Sequence, residues 1–126
     1  MLILIGSRNK VIDNSGGLFS ECIEIYKASK YRGAGVGDLI LVTLKKVVPN
    51  KKIKKGDLAK ALVVRTRSSI VRYSSHRIYT NDSAVILLNN NTLLPRAKRI
   101  RSLVFSEIRK SGETGLKALA IAPLIV

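Results

Sequence analysis

The stretch from Lys51 to Arg72, KKIKKGDLAKALVVRTRSSIVR, constrains the fold more than any other, because it sets a short apolar strand between two dense runs of positive charge. Ala61, Val63 and Arg65 project to one side of such a strand, and Leu62, Val64 and Thr66 to the other. One of those sides is expected to be core. A sheet built on it would hold Lys51, Lys52, Lys54 and Lys55 before the strand, and Arg65, Arg67 and Arg72 after it, in fixed places rather than on a floppy tail. A fixed basic surface suits phosphate, and on this scale that points to nucleic acid.

The rest of the composition is compatible with one ordinary domain. At 126 residues, 46% of them apolar, the chain can bury a core without disulfide or metal support and is not a disordered polycation. Lys and Arg number 23 against 8 Asp and Glu, a formal charge of +15. Self-repulsion of that size is most simply explained by a polyanionic partner, with RNA, DNA and an anionic membrane all open at this point. The membrane reading is the weakest, since no apolar run approaches the roughly 18 residues that a spanning helix needs and no long basic amphipathic helix is apparent. The opening MLILIG has too short an apolar run, and no basic region before it, to be a signal sequence. It reads as a first strand. With no Arg-rich, acid-free leader, the chain is expected either to work where it is made or to have been trimmed. Cys22 is the only cysteine, so it forms no internal disulfide and is expected to be a small core residue in a reducing compartment.

Strand patterns fill the first three quarters of the chain, punctuated by Gly, Asn, Asp and Pro. Leu2 to Ile5 and Val11 to Ile12 flank polar Ser7 to Lys10, predicting an opening strand with a break; Asp13 to Gly17 is a turn; Cys22 to Tyr26 is a second strand. Lys27 to Arg32 is a basic connection. In GAGVGD, Gly33, Gly35 and Gly37 precede strand-like Leu39 to Val48 rather than a helix, so a tight turn supported by Asp38 is expected instead of a nucleotide loop. The Lys-rich turn ending in Gly56-Asp57 leads into the fourth strand. Ser68 to Thr80 reads as a two-stranded ribbon with Ser74-Ser75 at its tip, carrying Arg67, Arg72 and Arg77 towards a partner. Tyr73 and Tyr79 have the chemistry to stack on bases, although tyrosine in a strand is by default a packing residue. His76 lacks a second ligand or carboxylate at metal-binding spacing. Ala84 to Leu88 is a fully apolar last strand stopped by Asn89-Asn90-Asn91. Beyond Pro95, Arg96, Lys98, Arg99 and Arg101 form a second basic cluster, Val104 to Lys110 reads as a short helix, and Leu116, Leu119 and Ile121 are expected to dock the tail on the barrel. The chain is therefore expected to be mainly β with a small helical C-terminal part: one domain over 1-126, strands and ribbon over 1-92, basic and helical segment over 93-126.

Placed in order, VIDNSG at Val11 to Gly16, CIEI at Cys22 to Ile25, YRGAGVGDLI at Tyr31 to Ile40, VPNKKIKKGDLAKALVVRTR at Val48 to Arg67, AVILLNNN at Ala84 to Asn91, EIR near the end and the closing AIAPLI resemble the universal large-subunit ribosomal protein fourteen in its bacterial and organellar form. The likeness runs over essentially the whole chain. It implies a small five-stranded closed β-barrel of OB-like or SH3-like kind, a protruding ribbon and short C-terminal helices. It also implies binding to large-subunit rRNA at the intersubunit face, beside large-subunit ribosomal proteins three and nineteen, with bridges to small-subunit rRNA and a docking surface for a ribosome silencing factor. No cofactor, metal or membrane belongs to that picture. Lys51 to Lys55, Arg65, Arg67 and Arg99 match the family's basic positions; Arg72, Arg77, Arg96 and Lys98 join them as expected rRNA-binding residues on charge.

The chain departs from the family at Leu18-Phe19, where a basic pair is usual, at the ribbon tip Tyr73-Ser74-Ser75, and at Arg101 to Val104. With the Ile-, Lys- and Asn-rich composition, these departures point to an AT-rich organelle genome, mitochondrial first, with plastid and bacterial origins as alternatives. Two other readings compete. A free-standing OB-like RNA-binding module would need clustered surface aromatics, and this chain has four Tyr, two Phe and no Trp. An enzyme acting on RNA would need a nucleophile, base or metal cluster that the sole His, sole Cys and scattered carboxylates do not supply.

Overall fold

Five strands close into a barrel in the computed structural model, which describes residues 3–26 and 33–126. In chain order they are β1 (Arg8–Val11), β2 (Gly17–Ile25), β3 (Leu39–Val47), β4 (Leu58–Arg65) and, after the two-residue strands β5 (Ile70–Val71) and β6 (Arg77–Ile78), β7 (Ala84–Leu88). Neighbours run antiparallel from β1 through β4 to β7, and a parallel pairing of β7 with β1 closes the cylinder. The expected basic connection from Lys27 to Arg32 lies outside the described residues.

The interior is filled from every strand: Val11, Cys22, Val42, Leu44, Ala61, Val63, Val85 and Leu87 belong to one buried cluster. Only one side of β4 was expected to be core, but both sides are. Leu62 and Val64 on β4, with Ala84, Ile86 and Leu88 on β7, point outward into a second cluster built with Val104, Phe105, Ile108, Ala118 and Leu119 of the C-terminal segment. That covering explains why these strands read as unbroken apolar runs rather than as an alternating pattern.

Opposite the covered face the strands alternate normally, and there the predicted boundaries shift. The polar run Arg8–Val11, expected as a break, is the first strand, with Asn9 and Val11 inward and Arg8 and Lys10 outward. Of the apolar run before it, Ile3 makes a single bridge to Ala34, while Leu4 and Ile5 are exposed. β2 begins at Gly17, well before Cys22, because its ladder with β3 accommodates irregularities around Phe19 and near Cys22. Asp13 fixes the turn between β1 and β2: its carboxylate accepts from the Ser15 backbone N–H at 3.2 Å and from the buried Leu87 N–H at 2.9 Å. Burial pushes the Asp13 carboxyl up from its ordinary value, and these hydrogen bonds oppose the rise. Asp38 holds the glycine turn as expected, accepting from Gly35 N–H at 2.8 Å. At Gly37, with φ +88°, an added Cβ would lie 2.6 Å from the Lys110 side chain.

The C-terminal segment carries two short helical pieces, as the resemblance implies, the first starting at Ser106 rather than at Val104. A 3-10 turn covers Ser106–Ser111, and α1 runs over Glu113–Ile121 after Gly112 turns the chain at φ 71°. The helix stops at Ala122, held extended ahead of Pro123. Gly115 is where the pieces touch, since a Cβ there would meet the Ile108 carbonyl oxygen at 1.9 Å. Leu119 docks inward as expected and Ile121 packs partly, but Leu116 is exposed and Ala118 takes the inward place.

Candidate nucleic-acid interface

A lysine-rich turn presents charge usefully only if its backbone is held. Between β3 and β4 it is held at three points: Ile53 is buried in the barrel cluster, Asp57 Oδ2 accepts the Lys54 N–H at 2.9 Å, and the Val48 N–H donates to the Gly16 carbonyl at 2.8 Å. Lys51, Lys52, Lys54 and Lys55 are all exposed around these anchors. The second basic cluster comes to the same place. The Asn14 N–H donates to the Arg99 carbonyl at 3.2 Å and the Arg101 N–H to the Ile12 carbonyl at 2.7 Å, while Gly16 lies so close to Lys51 that a Cβ on it would be 2.8 Å from the Lys51 Cβ. Two segments far apart in sequence thus flank the single β1–β2 turn, and the Arg99 and Arg101 side chains on one of them are exposed.

Around the barrel wall, Lys55 and Arg67 continue this charge into a cleft of ≈ 690 Å³ that also takes in Arg8, Lys10, Lys45 and Lys46, with Asp82 the only carboxylate lining it among the described residues. Sequence reasoning singled out neither Arg8 and Lys10 nor Lys45 and Lys46. The signal was there in the strand period: cations at alternate positions of β1, and at the end of β3, must face solvent. Five carboxylates pair with cations, two of these cations, Lys10 and Lys45, in the cleft itself: Asp82 with Lys10, Glu21 with Lys45, Asp38 with Lys110, Glu107 with Arg72 and Glu113 with Lys117. Among the described residues none pairs with Lys51, Lys52, Lys54, Lys55, Arg67 or Arg99, which leaves their charge for an outside anion.

Three expected site residues are placed differently. Arg65 is only 7% exposed. A register shift between Val63 and Arg65 swings it from the interior to the barrel rim, where its Nη2 donates to Asp82 Oδ2 at 3.2 Å, Nη1 donates to Ser102 Oγ and to the Leu103 carbonyl, and Nε lies 3.1 Å from Asp82 Oδ1 without an aligned hydrogen bond. Arg65 is therefore a structural cation. Arg72 does not reach outward from the ribbon either: its guanidinium forks onto both Glu107 carboxylate oxygens and donates to the Val126 carbonyl at 2.6 Å. Arg96 is half-buried, its Nε donating to the Leu88 carbonyl at 2.9 Å. Arg77 on β6 and Lys98 beside α1 remain exposed, apart from the lysine loop.

The ribbon forms where expected, with Ile70 opposite Ile78, Val71 opposite Arg77 and Ser75 at its tip with φ 67°. Tyr73 and Tyr79 are exposed rather than packed. Burial acts to raise the Glu107 carboxyl, but the Arg72 hydrogen bonds and charge outweigh it and hold the group below its ordinary 4.5. A depressed carboxyl contributes its stabilisation above the unfolded value and loses it as pH falls through the folded one. Acidification below the ordinary carboxylate range is therefore expected to release the ribbon, and Glu107→Gln to do so at neutral pH. Amide exchange checks this: β5 and β6 should exchange faster while β4 and β7 stay protected. Equal exchange in the variant ribbon would show that the Arg72–Glu107 pair holds nothing.

Compared with known families, the chain matches the one described as ribosomal protein L14p/L23e over residues 2–126.

Proposed function

This chain belongs to the ribosomal protein L14p/L23e family, a structural component of the large ribosomal subunit rather than an enzyme, and we propose that it holds large-subunit rRNA through the basic surface around its β1–β2 turn. The observation that carries the reading is the convergence of Lys51, Lys52, Lys54 and Lys55 with Arg99 and Arg101 on that one anchored turn. Lys55 and Arg67 extend the surface into the cleft, and Arg77 and Lys98 supply outlying contacts. Arg65, Arg72 and Arg96 are engaged by Asp82, Glu107 and the Leu88 carbonyl instead. Cations on a rigid barrel bind by releasing the counterions of several phosphates at once, and the barrel fixes which phosphates those are.

The finer placement rests on the resemblance. We assign the protein to the intersubunit face, beside large-subunit proteins three and nineteen, with bridges to small-subunit rRNA and a silencing factor as a further partner. The composition supports a mitochondrial ribosome ahead of a plastid or bacterial one. Residues 1-126 form one domain in this reading, because Val104, Phe105 and Ile108 complete the second core on β4 and β7.

Binding of purified protein to large-subunit rRNA over a salt series tests it. Six to ten phosphate contacts predict a fall of about three to five decades between 50 and 200 mM salt. A flat salt dependence would exclude phosphate neutralisation as the mode of binding.

A further inference from the structure

Within the basic cleft stands one aromatic ring. Phe19 on β2 lies opposite Lys10 on β1 and opposite Lys46 on β3, so the ring sits between two cationic side chains on one face of the sheet. The ladder between β2 and β3 shifts register on both sides of Phe19. An irregularity of that kind re-aims a side chain. Ser20 next to it is fully buried, whereas Phe19 stays 39% exposed. Asn9 and Ser20, paired with each other across the ladder, face the barrel interior instead, which leaves the outer face to the ring and the cations.

We propose that this cleft holds one unpaired nucleotide of RNA, with its base stacked on Phe19 and its flanking phosphates on Arg8, Lys46 and Arg67. The inference rests on the reading of the protein as rRNA-binding and adds a class of ligand to it. A duplex offers this cleft only phosphates, since its base faces are already stacked, and a ring at the centre would then add nothing. A single strand offers a free π-face together with the same charge, and every base can use it. The Lys–Phe–Lys row matches that combination.

The test uses the full chain, with a short mixed-sequence single-stranded RNA and a blunt RNA duplex of the same composition as probes. Phe19→Leu is expected to weaken single-strand binding about tenfold and to leave duplex binding within about twofold. Phe19→Tyr keeps the ring and should bind the single strand as the parent does, which separates stacking from any loss of fold; Lys46→Ala should weaken both probes. Equal single-strand affinity for the parent and Phe19→Leu, or an equal loss on both probes, overturns the nucleotide site while leaving rRNA binding by the lysine loop intact. Failure of the parent to bind either probe overturns both.

Discussion

Replacing Lys51, Lys52, Lys54 and Lys55 together by alanine is expected to weaken rRNA binding about a thousandfold at physiological salt. Each phosphate contact contributes close to one unit to the slope of log affinity against log salt, so four lost contacts remove nearly four units. At about 0.15 M ionic strength a slope change of that size amounts to about three decades. The fold should survive, because the loop is anchored by Ile53 and by Asp57 rather than by its lysines. Unchanged thermal unfolding alongside a lowered slope is the expected pair of results. A slope that stays at the parent value would remove the lysine loop from the RNA surface and leave Arg99, Arg101 and the cleft to account for binding.

Asp82→Ala is expected to be strongly destabilising for a substitution at a partly exposed side chain. Arg65 is buried at the barrel rim, and among the described residues Asp82 is its only carboxylate partner. Without it the guanidinium keeps only Ser102 Oγ and the Leu103 carbonyl. A buried charge stripped of its partner costs about 3 kcal/mol, which for a domain of this size lowers the unfolding midpoint by roughly 10 °C. Replacing both residues, as Arg65→Met with Asp82→Ala, should recover much of that loss because no lone charge is then left behind. The pH dependence has the same origin. Burial acts to raise the Asp82 carboxyl, but Lys10 and Arg65 together hold it below its ordinary 3.8. Its contribution is therefore complete above that value and disappears as pH falls through the lower folded one. Thermal unfolding of the two variants between neutral and acid pH checks both points, and a double variant no more stable than Asp82→Ala would sink the explanation.

Much of this architecture was legible because strand period and turn chemistry are local. The ribbon tip, the Asp38 turn and the apolar β7 strand follow from neighbouring residues alone. The closed five-stranded barrel came from resemblance to a family rather than from the periodicity. What the local pattern misjudged was decided by contacts distant in sequence. Arg8–Val11 reads as a polar break until β2 and β7 pair with it. Only one side of the Ala61 to Thr66 strand reads as core until Phe105 and Ile108 cover Leu62 and Val64 as well. The site divides the same way. Lysines 51, 52, 54 and 55 stand out in the sequence as a cluster, but a charge says nothing about its partner: Arg65 and Arg72 look as free as Arg67 until Asp82 and Glu107 are placed beside them. Arg8 and Lys46 went unnoticed for the opposite reason, each being an ordinary surface cation until the closed barrel brings their strands together.

Sedimentation of the tagged protein from cell and organelle extracts, at low and high salt with rRNA probed in every fraction, tests the central claim most directly. Comigration with large subunits and monosomes that survives high salt is the expected result, with the organelle fraction identifying the compartment. Recovery only in light fractions free of large-subunit rRNA would contradict it and favour a free-standing RNA-binding module.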